Sequence, residues 1–169
     1  MDETADRRAP QGREQAWSDE RGEHGHVVVV TDNPIARALV RIAEVVGRRT
    51  TLLADEDVAQ TPLQWLEQNP LGERDAFVMC DHDTPGMDQL LRAALAGDAG
   101  YVAMMASRRR AETVFAELEQ SLPSEGLRRL HMPAGLDVGG KAPGEIALSV
   151  VAEIVADSHG RSGGPMKRR

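Results

Sequence analysis

Apolar positions along this chain follow two alternating periods. Val27-Val28-Val29-Val30 is a short continuous apolar run, the mark of a strand buried on both faces. Residues 34–46 follow, with Ile35, Leu39, Ile42 and Val46 at helical spacing and Gly47 where a C-terminal cap belongs. Residues 50–53 are β-branched and then apolar, which predicts a second strand. A short helix is expected over 61–68, carrying Leu63, Trp65 and Leu66, and a third strand over 76–80. Met87, Leu90, Leu91, Ala94 and Leu95 mark the next helix face, closed by Gly97. Residues 101–105 read as a fourth strand, and 108–120 as a helix burying Val114, Phe115 and Leu118. The last clear element is a helix over 143–156, with Ile146, Val150, Val151 and Ile154 facing inward.

Repeated strand–helix units of this size predict an α/β fold. The expected architecture is a doubly wound, mostly parallel, Rossmann-like sheet with helices on both faces. Its ordered body is expected over residues 26–157. Residues 1–25 hold seven acidic and four basic side chains with Trp17 as the one large apolar group, so they read as a disordered tail. Residues 158–169, rich in glycine and ending in Lys167-Arg168-Arg169, read as a disordered basic tail.

Composition narrows the class further. The formal net charge of −7 argues against general affinity for nucleic acid, which needs clustered cations. No apolar run approaches the roughly 20 residues of a membrane helix. A single cysteine, Cys80, excludes an intramolecular disulfide framework, and no apolar stretch of a signal peptide opens the chain. A cytoplasmic setting is the expectation.

In doubly wound sheets ligands sit beyond the carboxyl ends of the strands, where strand order reverses. Three loops should gather there. The first, Thr31-Asp32-Asn33-Pro34-Ile35-Ala36, has no glycine at any position of the G-x-G-x-x-G pattern that lets backbone approach a pyrophosphate. Asn33 before Pro34 is a helix-start signal instead, and Asp32 adds a charge that repels phosphate. The acidic residue expected to hold a ribose hydroxyl after the second strand falls on Ala54, with Asp55 one position late. The second loop, Cys80-Asp81-His82-Asp83, is the densest group of potential acid–base side chains, with no companion motif at metal-site spacing. The third, Ser107-Arg108-Arg109-Arg110, could hold an anion at a helix start or be only a cap with solvated arginines. The turn Gly135-Leu136-Asp137-Val138-Gly139-Gly140 permits positive φ or close approach to a ligand. His24, His26, His131 and His159 are scattered and read as structural.

Three segments carry a family resemblance: 101–109, the run His131-Met132-Pro133-Ala134-Gly135-Leu136-Asp137-Val138-Gly139, and 143–154. Together they resemble the C-terminal domain of XdhC/CoxI proteins, the xanthine dehydrogenase accessory family. The match runs in register from about Val27 to Ala156 and is most specific from His131 onward. It implies a Rossmann-like domain that helps bind, sulfurate or deliver molybdenum cofactor to a molybdenum hydroxylase. His82, Asp83, Ser107, Arg108, Gly135, Leu136, Asp137, Gly139, Pro143 and Glu145 fall on family motif positions. The departures are Thr31, Asn33 and Ala36 in the glycine loop, Ala54 for the ribose acid, and Ala106 for the glycine before Ser-Arg. The family's N-terminal, cysteine-bearing domain has no counterpart in this sequence.

The leading expectation is therefore a non-catalytic accessory protein for maturation of a xanthine dehydrogenase or carbon monoxide dehydrogenase type enzyme. It would bind molybdenum cofactor transiently, or dock its partners. Expected partners are a molybdenum hydroxylase subunit, a separately encoded XdhC/CoxI N-terminal domain, and a second copy in a homodimer; nucleic acid and membrane are not expected. The alternative is an NAD(P)-binding redox enzyme or sensor with a rebuilt dinucleotide loop, which the missing glycines disfavour. A regulatory subunit using the fold only as a protein-binding surface is a third reading. The candidate ligand-binding set is Asp32, Asn33, His82, Asp83, Ser107, Arg108, Arg109, Gly135, Asp137 and Gly139. No catalytic residue and no metal ligand is assigned.

Overall fold

A computed structural model describes residues 24–54, 60–81 and 86–167. Among these residues are five strands: β1 (His26–Val30), β2 (Arg49–Leu53), β3 (Ala76–Met79), β4 (Tyr101–Met104) and β5 (Leu130–His131). The same described residues form six helices: α1 (Pro34–Val45), α2 (Pro62–Gln68), α3 (Met87–Ala96), α4 (Arg108–Glu119), α5 (Ser124–Leu127) and α6 (Pro143–Ser158). The sheet order is β2-β1-β3-β4-β5 and every neighbouring pair is parallel. The doubly wound α/β architecture expected from the sequence is the one observed.

The valine run explains its own place. Val27 and Val29 join Ala36 and Leu39 of α1 and Val151 and Ile154 of α6 in one core. Val28 and Val30 turn to the other face, into a core with Leu91 of α3 and Val114 and Leu118 of α4. All four valines are completely buried, which a strand sandwiched between two helical layers requires. Removing one fully buried leucine such as Leu39 costs about 2–5 kcal/mol by the usual Leu→Ala range.

The α1 stripe differs from the expected one. Ala36, Leu39 and Ala43 are its buried positions, while Ile35 and Ile42 are half-buried and Val46 is exposed. Two alanines on the inner face let α1 lie close to the sheet and α6, which displaces the larger side chains to the flanks. The predicted C-terminal stop holds: Gly47 has φ +83, and N–H bonds from Gly47 to Glu44 and from Arg48 to Ala43 close the helix. The α3 face is buried as its periodicity predicts.

Short β5 and α5 carried no periodic signal, being two and four residues long. β5 extends the sheet by pairing Leu130 with Val102 and His131 with Ala103. Nearby, Arg129 donates Nη1 to the carbonyls of Gly97 (2.8 Å) and Ala99 (2.7 Å), and Nη2 to that of Leu95 (2.7 Å). It thereby satisfies carbonyls that the end of α3 leaves open. Beyond α6, residues 159–167 are exposed, with Gly163 lying against the Leu136 side chain.

Candidate functional site

The chain leaves β1 through α1 on one face and returns through α2 on the other, so strand order reverses between β1 and β3. An open cleft of about 510 Å³ lies at this switch point. Asn33, Ile35, Cys80, Asp81, Met105, Ala106, Ala134 and Ile146 line it. The three loops expected to converge therefore do so, joined by the segment after β5. His82, Asp83 and Asp55 lie outside the described residues.

Asn33 is a heavily engaged side chain of the cleft. Its Oδ1 accepts the N–H groups of Ile35 (3.0 Å) and Ala36 (2.9 Å), and its backbone carbonyl accepts that of Arg37 (3.0 Å). Pro34 has no N–H to offer. Every donor of the first turn of α1 is thus absent or taken, and none remains for a pyrophosphate. Asn33 Nδ2 meanwhile donates to the Cys80 carbonyl at 3.0 Å, tying the β1 loop to the β3 loop.

Thr31 holds φ +77, a conformation usually left to glycine. The backbone path of a glycine loop survives here while its open phosphate cradle does not. Asp32 pairs with Arg37 Nε at 2.6 Å on the surface, and the hydrogen bond from Arg37 lowers the Asp32 carboxyl below its usual range. An anionic Asp32 beside the closed helix start disfavours a second anion there.

The start of α4 is different. Ser107 Oγ accepts the N–H of Arg110 at 3.2 Å, the expected cap. The N–H groups of Arg108 and Arg109, the first two residues of the helix, have no partner among the described residues. Both arginine side chains are exposed, and Arg108 Nη2 lies 3.9 Å from Asp137 Oδ2. So exposed a pair adds little stability, and it leaves the guanidinium free to exchange partners. Gly139, at φ +75, is exposed with open space around it.

Gly135 is structural in a strict sense. At φ +100, a Cβ would lie 2.4 Å from Ser149 Oγ, and its N–H donates to Glu153 Oε2 at 2.8 Å. Glu153 is the hub of a cluster that sequence reasoning missed. Tyr101 donates its hydroxyl to the same oxygen at 2.6 Å, and His131 Nδ1 lies 3.4 Å from Oε1. The Tyr101 and His131 rings stack at 4.2 Å, and His131 Nε2 is 3.8 Å from Asp157. Burial works to raise the Glu153 carboxyl, but hydrogen bonds from His131, Tyr101 and Gly135 outweigh it and hold the group below its usual value. Burial and the neighbouring carboxylate push the Tyr101 hydroxyl well above the ordinary tyrosine range. The signal available in sequence was thin: Tyr101, His131 and Glu153 lie on three separate elements.

Cys80 lines the cleft as a buried thiol. Burial, then the charge of Asp81, push it up to about 12. At neutral pH burial keeps it a protonated small hydrophobe and a poor nucleophile.

These features define a Rossmann-like α/β domain whose first loop is closed by its own cap and whose fourth-strand loop leaves its helix start open. A family model described as the XdhC Rossmann domain matches residues 27–154, and the chain belongs to that family. Among curated proteins it is 33% identical over 98 residues to the uncharacterized protein YqeB of Escherichia coli (strain K12), covering 56% of this chain. The chain spans 17% of that relative's length. Among solved structures it is similar to a xanthine dehydrogenase from Bacillus halodurans, with a TM-score of 0.67 at 22% identity. That likeness covers 82% of this chain and 44% of the other, and it concerns the fold.

Proposed function

We propose that this protein serves the maturation of a molybdenum hydroxylase of the xanthine dehydrogenase or carbon monoxide dehydrogenase type. It acts by binding cofactor cargo or docking partners, not by chemistry of its own. Membership of the XdhC Rossmann family over 27–154 carries the reading, because the fold alone hosts many functions. The cleft supports a binding role: its apolar lining of Ile35, Met105, Ala134 and Ile146 suits a flat ring, and Arg108 and Arg109, outside that lining at the start of α4, suit a phosphate. The closed α1 start weighs against the alternative of an NAD(P)-binding enzyme or sensor.

Affinity co-purification of the tagged chain from its native host, with mass spectrometry of what accompanies it, tests the role. Recovery of a molybdenum hydroxylase subunit or a separate XdhC/CoxI N-terminal domain supports it. Recovery of neither, from cells making such an enzyme, counts against it. Equilibrium dialysis with released molybdenum cofactor separates cargo binding from docking. NAD(P) has its own test: calorimetric titration with NADH is expected to give no heat at millimolar ligand.

A further inference from the structure

Three successive N–H groups tie the turn after β5 to the rest of the domain. Ala134 donates to the Met104 carbonyl of β4 at 3.2 Å, Gly135 to Glu153 Oε2 of α6 at 2.8 Å, and Leu136 to the Ser149 carbonyl of α6 at 3.2 Å. The outer two bonds run to backbone, and the middle one runs to a side chain. That middle bond falls where the turn has least latitude, because Gly135 holds φ +100 hard against Ser149.

The residues on either side of that bond belong to the ligand side of the domain. Ala134 lines the switch-point cleft with Cys80 and Met105, and Asp137, two residues beyond Gly135, stands 3.9 Å from Arg108. Glu153 itself does not line the cleft. Behind the turn, buried Tyr101 of β4 donates to the same Oε2 at 2.6 Å, and His131 of β5 lies 3.4 Å from Oε1. The two rings stack on each other, so two strands fix the carboxylate where it meets the turn. A half-buried carboxylate is a costly way to fill space beside a sheet. What it supplies that an apolar side chain does not is a fixed direction for the Gly135 N–H.

We propose that Glu153 is a positioning residue of the cleft, holding through Gly135 both the Ala134 wall and the placement of Asp137 against Arg108. It touches no ligand and acts through the turn alone. The inference rests on the cleft being the binding site, as the proposed function does, and it applies to whatever ligand sits there. Three substitutions separate the roles. In Glu153→Gln the amide oxygen still accepts from Gly135 and Tyr101, so the turn keeps its place. Glu153→Asp keeps the charge but is one methylene short of Gly135, and Glu153→Ala removes the acceptor.

Cys80 reports the result without a ligand. It is the single cysteine of the sequence and shares the cleft with Ala134. Iodoacetamide labelling of the untagged full chain is compared across the three variants and Leu91→Ala, whose side chain is buried in the core on the opposite face of the sheet. Urea titration gives each variant's globally unfolded fraction. After that fraction is accounted for, Glu153→Asp and Glu153→Ala should label about tenfold or more faster than Leu91→Ala, and Glu153→Gln should stay within about twofold of the parent. Amide signals of Ala134, Asp137 and Arg108 in proton–nitrogen correlation spectra should move together in Glu153→Asp and stay in place in Glu153→Gln. If Glu153→Ala does not fold, Glu153→Asp carries both readouts. Labelling that follows the unfolded fraction in every variant, Glu153→Gln labelling as fast as Glu153→Asp, or amide signals that stay in place in Glu153→Asp would overturn the proposal. Neither readout uses a ligand or a partner, so failure here leaves the maturation role standing, and failed co-purification leaves this inference standing.

Discussion

Asn33 donates its Nδ2 to the carbonyl oxygen of Cys80 at 3.0 Å, while its Oδ1 caps α1. One amide thus closes the helix start and bridges the two strands between which the sheet changes direction. Asn33→Ala should lose both, at about 1–2 kcal/mol for the cap alone and about 1 kcal/mol more for the bridge. Urea unfolding gives the comparison. Asn33→Gly should recover most of the capping loss but not the bridge.

Glu153 gives the fold a measurable acid limb. Its carboxyl is lowered in the folded state from a reference value of 4.5, so its contribution is complete above that value. The contribution is lost as pH falls through the lower folded value. Stability measured by denaturant titration should decline below about pH 5 more steeply in the parent than in Glu153→Gln. Glu153→Ala, which strands the Tyr101 hydroxyl and the Gly135 N–H, should cost about 2–4 kcal/mol near neutrality.

Gly135→Ala should destabilise by about 2 kcal/mol or more, since positive φ and the approach to Ser149 both oppose a Cβ. Gly139→Ala shares the positive φ but meets open space, and about 1 kcal/mol is expected. Thermal melting of the two variants side by side separates strain from collision.

Cys80 should resist alkylation. With the thiol near 12, iodoacetamide at pH 8 should modify the native chain about a thousandfold more slowly than the urea-unfolded chain. Rapid native labelling would mean that the switch-point cleft opens far more than its packing indicates.

Arg108→Ala should shift stability by less than about 0.5 kcal/mol, because its pair with Asp137 is exposed and 3.9 Å long. Under the proposed function the same change should weaken binding of a phosphate-bearing cargo about tenfold. Equal binding by parent and variant would move the anion contact away from α4.

The valine run, the α3 stripe and the Gly47 stop were legible because each is a local pattern with one physical solution. Asn33-Pro34 was legible as a cap for the same reason, and Ser107 likewise. The inner stripe of α1 was not, because the choice between Ala36–Ala43 and Ile35–Ile42 depends on how closely α6 lies beside it. β5 escaped notice because two residues carry no period.

The chain by itself determined the order of its longer strands and helices and the closed start of α1. Each follows from interactions spanning a few residues, where propensity and capping act without help from distant parts. Tertiary structure alone decided that Asn33 reaches Cys80, that Arg108 faces Asp137, and that Glu153 gathers Tyr101, His131 and Gly135. Those contacts join residues 18 to 52 positions apart, and only the register of parallel strands and the seat of α6 bring them within hydrogen-bond or ion-pair reach.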